Sequence, residues 1–486
     1  MSAPLGNAHD TTEATILARL KGLEQGSIYL GHWYGSKEDR AGAELQYKGD
    51  RHLLVFGPTG SGKGRRFLMP NLLMGLEEQS VIVIDPKGEA AAVTAEARRK
   101  MGHEVVILNP FNVLGLGSAG FNPLATLDPS SPTFYDDAAA IGEALIKIEG
   151  NEPHWSESAQ GLVVALLMWE RLRNGEQASL ENVRSMLTEP NEWESVTDAD
   201  GKVRQRQSAG LRITAARMVE KGGYEIESLS ARFIEDSREL SSIQSTGDTQ
   251  TRWLLSRPMR ADLAKNGIDF ADLKKRPTTV YVILPAERLR THSVWLRLVI
   301  VTALRSLYTS GGRRTLMLID EMAALGHLGP LEDAFGLVRG YNIQIAAILQ
   351  DLGQLKALYK ERWETFMANA GVVFGFAPND LTTADWMSKR SGQTTVVAKS
   401  LTATAGESVS QKTSTSTGTS LSSQPIGRPY HLPHELFGFE DGMGLLWLAG
   451  LDDSTRFFAP DYEMIEKCLG RAQPNPYRPI ALGQLS

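Results

Sequence analysis

In Leu53-Leu54-Val55-Phe56-Gly57-Pro58-Thr59-Gly60-Ser61-Gly62-Lys63-Gly64 an apolar run meets a glycine-rich turn, and Arg65 to Leu73 can continue as a helix. Strand, turn and helix in this order make a phosphate cradle: glycines let successive N–H groups converge, and the helix amino end adds its dipole. Gly57 to Arg65 are therefore the expected nucleotide-binding residues, with Lys63 reaching the β- and γ-phosphates. One position departs from the G-x-x-x-x-G-K-[ST] pattern. Gly64 stands where a hydroxyl would meet Mg²⁺, so the metal must use other ligands.

Beyond this helix, Ser80 to Ile84 is an apolar run ending in Asp85, too short for a buried helix and therefore expected as a central parallel strand. Asp85, Lys87 and Glu89 either line the same cleft or cap the helix that follows. Further strands are predicted at Glu104 to Leu108, Thr278 to Leu284, Thr315 to Ile319, Gln344 to Leu349, Val372 to Phe376 and Gly444 to Gly450. Strands alternating with helices imply a doubly wound α/β sheet.

Helical periodicity dominates from Asp136 to Lys275, with helices expected at 137–148, 155–174, 208–221 and 229–244, so an all-α insertion splits the sheet. The expected segments are a polar amino-terminal segment (1–26), a first nucleotide-binding part (27–124), the all-α part (125–276), a second nucleotide-binding part (277–470) and a tail (471–486). Within the second part, 394–423 is rich in Ser, Thr and Gly and is expected as a mobile or poorly ordered loop. The basic stretch from Arg252 to Arg260, with Trp253, suits either a phosphate backbone or a solvated helix face.

The strand ending in Asp320-Glu321 supplies what the phosphate loop needs: Asp320 to hold Mg²⁺ and Glu321 to polarise an attacking water. Gln350, at the end of another strand, is placed to sense the γ-phosphate or orient water. Arg339 is a candidate arginine finger acting on a neighbouring subunit's nucleotide. Composition sets outer limits. A formal net charge of −6 argues against coating nucleic acid with the whole surface, and a single cysteine, Cys468, excludes an internal disulfide. No run reaches the roughly 18 apolar residues of a membrane span.

Together Gly57 to Arg65, Asp85-Pro86-Lys87-Gly88-Glu89, Phe121-Asn122-Pro123-Leu124, His154 to Ala159, Leu318 to Gly326, Arg339-Gly340-Tyr341, Gln350 to Leu355 and Arg428 to Leu436 resemble one family. It is the type IV secretion coupling proteins, the TraG/TraD-like conjugation ATPases related to FtsK and HerA translocases. The resemblance spans about Gly26 to Tyr462, and many members also carry glycine after the loop lysine. It implies a RecA-like P-loop sheet interrupted by an all-α domain, and a homo-hexamer using ATP and Mg²⁺ with Arg339 acting in trans. It further implies cargo, single-stranded DNA with its relaxase or effector proteins, driven into a secretion channel at the inner membrane. Residues 1–26 cannot form the family's usual transmembrane anchor, so the expectation is a cytoplasmic chain lying against the inner membrane, either a naturally soluble member recruited by partners or an engineered cytoplasmic fragment. A DNA-pumping motor and a nucleotide-gated adaptor are the alternatives.

Overall fold

The computed structural model describes residues 6–21, 27–35, 42–148, 153–197, 200, 202–308, 311–408 and 414–478. Its strands in chain order are β1 (Ile28–Trp33), β2 (Glu44–Tyr47), β3 (His52–Phe56), β4 (Ser80–Ile84), β5 (Glu104–Leu108), β6 (Glu192–Thr197), β7 (Val203–Ala209), β8 (Thr278–Val282), β9 (Thr315–Ile319), β10 (Ile343–Leu349), β11 (Ala370–Phe376), β12 (Gln393–Ser408), β13 (Ser414–Pro429), β14 (Met443–Leu448) and β15 (Thr455–Phe458). Eleven of them form one sheet in the order β2-β1-β15-β14-β11-β3-β10-β9-β4-β8-β5. From β11 to β5 every neighbouring pair is parallel, whereas β14, β15, β1 and β2 join antiparallel.

The strand residues divide by the two-residue period of the pleat. Leu54, Phe56, Ile82 and Ile84 enter one core, which also holds Leu162, Trp169 and Trp295 from the helices. Leu53, Val55, Val81 and Val83 enter the other, with Phe67 and Leu72 of the helix behind the phosphate loop. Burial on both faces is why these strands read as uninterrupted apolar runs. Fully burying each such side chain contributes about 1.5–3 kcal/mol.

Several expectations are corrected. Two strands not expected from the sequence, β1 and β2, extend the main sheet, and β15 follows the strand expected to be last. Helix Glu13–Lys21 lies inside the polar amino-terminal segment, where Ile16 and Leu20 are buried. The helical region is not purely α: β6 and β7 form a hairpin, with Arg206 Nε donating to Glu194 at 3.0 Å. So few apolar residues occur there that periodicity carries no strand signal, and cross-strand charge pairing supplies the register.

The expected helix at 229–244 is two, Tyr224–Ser230 and Arg238–Thr251. Ser237 restarts it by accepting the Leu240 N–H at 3.0 Å. In place of a mobile loop at 394–423, β12 and β13 pair from Gln393↔Pro429 to Ser408↔Ser414, with residues 409–413 outside the described part. Thr and Val favour extended backbone, and each arm satisfies the other's N–H and C=O groups, so a large apolar content is not needed. Among the described residues no helix is long and apolar enough to cross a membrane.

Candidate nucleotide site

Four adjacent parallel strands, β3, β10, β9 and β4, end at the same edge of the sheet. Their carboxyl ends carry the phosphate loop, Gln350, Asp320-Glu321 and Asp85, the placement at which such sheets bind ligands. A cavity of about 860 Å³ opens there, lined among others by Pro58, Thr59, Gly60, Gly62, Lys63, Gly64, Arg65, Asp85, Asp320, Glu321 and Gln350. Gly57 lies behind the loop, its N–H donating to Leu349 O at 3.1 Å and so joining β3's end to β10.

The loop's curl needs glycine at two positions, since Gly60 has φ +90° and Gly62 φ +79°. The Lys63 ammonium donates to the Gly57 carbonyl across the loop. Burial lowers the Lys63 pKa, while Asp320, Glu321 and Asp351 pull it the other way. The following helix opens with one π-helical turn over Gly64–Leu68, Met69 N–H bonding to Gly64 O.

The acids are graded by environment. Desolvation pushes Asp85 up to about 7, with Asp320 adding to the rise, and its carboxylate accepts the Ala91 N–H at 2.9 Å. Asp85 thus both caps a helix and faces the cavity. Desolvation also pushes Asp320 up to about 6; Lys63 opposes the rise and Glu321 adds to it. Glu321 sits in the left-handed region at φ 58°, ψ 51°, a strained state for a residue with a Cβ. Gln350 Nε2 donates to both Glu321 carboxylate oxygens, at 2.9 and 3.1 Å. Gln350 is itself fixed, its N–H donating to Gln354 Oε1 at 3.0 Å, while Asp351 accepts the Gln354 N–H at 2.8 Å.

The donors of the cavity suit a metal-bound triphosphate. The Ser61 hydroxyl is buried with no partner among the described residues, and Mg²⁺ needs only one or two carboxylates beside phosphate and water. Asp320 is suitably placed.

Arg339 lies elsewhere. It precedes β10, at the amino edge of the sheet, is 64% exposed and pairs with Asp50 at 2.5 Å. It therefore does not reach its own chain's cavity. Two arginines of the basic stretch are already paired, Arg252 with Asp248 and Arg260 with Glu181, and Trp253 is buried.

Sequence reasoning missed the far wall. Arg66 holds Asp441 and Asp461 and donates to Ser61 O at 3.0 Å, and Arg65 pairs with Asp461 at 2.9 Å. Tyr477 and Arg478 also line the cavity, held by Tyr477 Oη donating to Lys87 O at 2.8 Å and by Asn475 on Glu89. About 400 residues separate these partners, and no local pattern signals such contacts.

A mostly parallel sheet with this loop, and acids at the neighbouring strand ends, defines a RecA-like P-loop NTPase fold. Among solved structures, the plasmid coupling protein TrwB in complex with the ATP analogue ADPNP has a TM-score of 0.64 at 16% identity, covering 95% of each chain. TrwB in complex with ADP and Mg²⁺ gives 0.62 at 17% identity, covering 90% of this chain and 95% of that one. The family described as Type IV secretory system conjugative DNA transfer matches residues 6–452, and the chain belongs to it. The conjugal transfer protein TraG of Rhizobium radiobacter is 28% identical over 417 residues, 83% of this chain and 60% of that protein. The coupling protein VirD4 of Bartonella quintana is 27% identical over 364 residues, 72% of this chain and 54% of that one. The chain thus spans between half and two thirds of the length of these relatives.

Proposed function

We propose that this chain is an ATP-hydrolysing coupling motor of conjugation or type IV secretion. The convergence of Lys63, Asp320, Glu321 and Gln350 on one cavity supports this most directly. Residues Gly57 to Arg65 cradle the triphosphate, with Lys63 neutralising the β- and γ-phosphates and Asp85 bordering the site. Asp320 would hold Mg²⁺, which when bound neutralises charge developing on the phosphates. Glu321 accepts a proton from the attacking water, and Gln350 orients its carboxylate and senses the γ-phosphate.

Arg339 cannot serve its own site, so in this reading it completes a neighbour's, in a homo-hexameric ring. The ring would act at the cytoplasmic face of the inner membrane, passing single-stranded DNA with its relaxase, or effector proteins, to the secretion channel. The helical part between residues 125 and 276 would meet that cargo.

Steady-state ATP hydrolysis by the wild type and Lys63→Ala, across protein concentration and with and without single-stranded DNA, tests the reading. Activity should rise cooperatively with concentration, respond to DNA and fall at least about a hundredfold in the variant. Equal turnover by both proteins would overturn it. The absent hydroxyl at Gly64 favours, as a second reading, an adaptor gated by nucleotide without using hydrolysis. In that case Glu321→Gln would retain transfer in cells, whereas a motor would lose it.

A further inference from the structure

A second cavity, of about 430 Å³, lies among the helices, between Arg238–Thr251 and the start of Ala286–Leu307. Lys147, Ser245, Thr249, Arg290 and Ser293 line it, drawn from three separate parts of the chain. Among the described residues no Asp or Glu lines it, in a chain of formal net charge −6. Several other arginines meet carboxylates, Arg184 and Arg252 on Asp248, Arg260 on Glu181 and Arg305 on Asp137, whereas Arg288, beside Arg290, lies over the Phe111 ring. Arg290 has no such partner among the described residues.

The hydroxyls follow suit. Ser293 is only 8% exposed, and neither it, Ser245 nor Thr249 has a side-chain hydrogen bond within the described residues. The wall is preformed: Gln250 accepts the Lys147 N–H at 2.6 Å and donates to Lys147 O at 2.9 Å. The Arg290 guanidinium fork and three hydroxyls offer more donors than the two oxygens of a carboxylate readily accept, but suit a tetrahedral oxyanion.

We propose that this cavity binds a phosphate group, either a phosphodiester of nucleic acid or free phosphate. It is distinct from the nucleotide cavity, although one helix, Ala286–Leu307, serves both. Ala286 and Leu289 face the nucleotide cavity, and Arg290 and Ser293 face this one.

The test is binding by the full chain with saturating ADP and Mg²⁺, so that neither hydrolysis nor its failure affects the answer. With a fluorescein-labelled oligothymidylate of about 20 nucleotides, Arg290→Ala should weaken binding about tenfold and reduce the log–log salt slope by about 0.7. Ser293→Ala, a neutral donor, should weaken it about threefold and leave the slope alone. Arg290→Lys should keep the slope. Inorganic phosphate, followed by titration calorimetry, separates the sources: loss of phosphate binding in Arg290→Ala with unchanged oligonucleotide binding assigns the site to free phosphate. If both correctly melting variants bind both probes as the wild type does, or the wild type binds neither, the proposal is overturned.

Discussion

The Gln350 amide grips both oxygens of the Glu321 carboxylate, and Glu321 is held in left-handed backbone at the end of β9. This contact orients the carboxylate where it lines the cavity. Gln350→Ala should lower kcat for ATP about tenfold with little change in KM, because orientation rather than binding is lost. Glu321→Gln should bind nucleotide as the wild type does and lose at least about a hundredfold in turnover. Equal kcat in Gln350→Ala and the wild type would remove the positioning role.

A Cβ added to Gly64 meets no atom within 4 Å, and its φ lies outside the left-handed range. Gly64→Ser should therefore leave the melting temperature unchanged. Supplying the missing hydroxyl, it should lower the Mg²⁺ concentration needed for half-maximal hydrolysis a few-fold. Gly60→Ala should instead destabilise by about 1 kcal/mol, because its φ of +90° strains a residue with a Cβ.

Arg339 is exposed, and its pair with Asp50 is worth no more than about 1 kcal/mol. Arg339→Ala should keep stability and nucleotide affinity while losing concentration-dependent hydrolysis. Mixing it in equal amounts with Lys63→Ala should restore about a quarter of wild-type activity, the share of interfaces with both groups intact. No recovery on mixing would deny it the trans role.

His52 is buried against Phe335, and its Nδ1 accepts the Ile345 N–H at 3.1 Å. Desolvation, helped by Arg51 and Arg314, lowers its pKa to about 4. In the unfolded chain it titrates near 6.5. Below that pH the unfolded state takes the proton and the native state does not, so stability falls as pH drops from 6.5 toward 4 and is flat above. Between pH 7 and 5 the loss from this group is about 2 kcal/mol. Chemical denaturation of the wild type and His52→Asn at both pH values should show a shallower decline in the variant.

Near its base the ribbon of β12 and β13 meets the amino-terminal segment, where Thr395 Oγ1 donates to Gly6 O at 2.8 Å and Asn7 bridges Thr394. Residues 397–400 and 421–426 are exposed. An isolated two-stranded ribbon adds little stability. Replacing residues 400–422 by Asn-Gly should therefore leave Tm within about 2 °C of the wild type.

The parallel core was legible because each of its strands is buried on both faces, which leaves unbroken apolar runs such as Ser80–Ile84 and Thr315–Ile319. Short and polar elements were not. β2 and β15 have only four residues each, β6 and β7 are mostly polar, and β12 and β13 read compositionally as a loop. Their pairing is satisfied by partners along the backbone, a signal that side-chain periodicity does not carry. The polar residues of the site were readable in the same way, since Asp85, Asp320 and Gln350 each end an apolar run.

The sequence by itself determined the phosphate loop, the acids that answer it and the sheet class, because these depend on local order: a strand, its terminal polar residue, a turn. Only the tertiary structure decided that β10 lies between β3 and β9, and so brings Gln350 onto Glu321. It also decided that Asp441, Asp461 and Tyr477 wall the cavity and that Arg339 sits at the opposite edge of the sheet. Strand order and the return of distant chain are set by which faces bury together, a property of the whole core that no single stretch encodes.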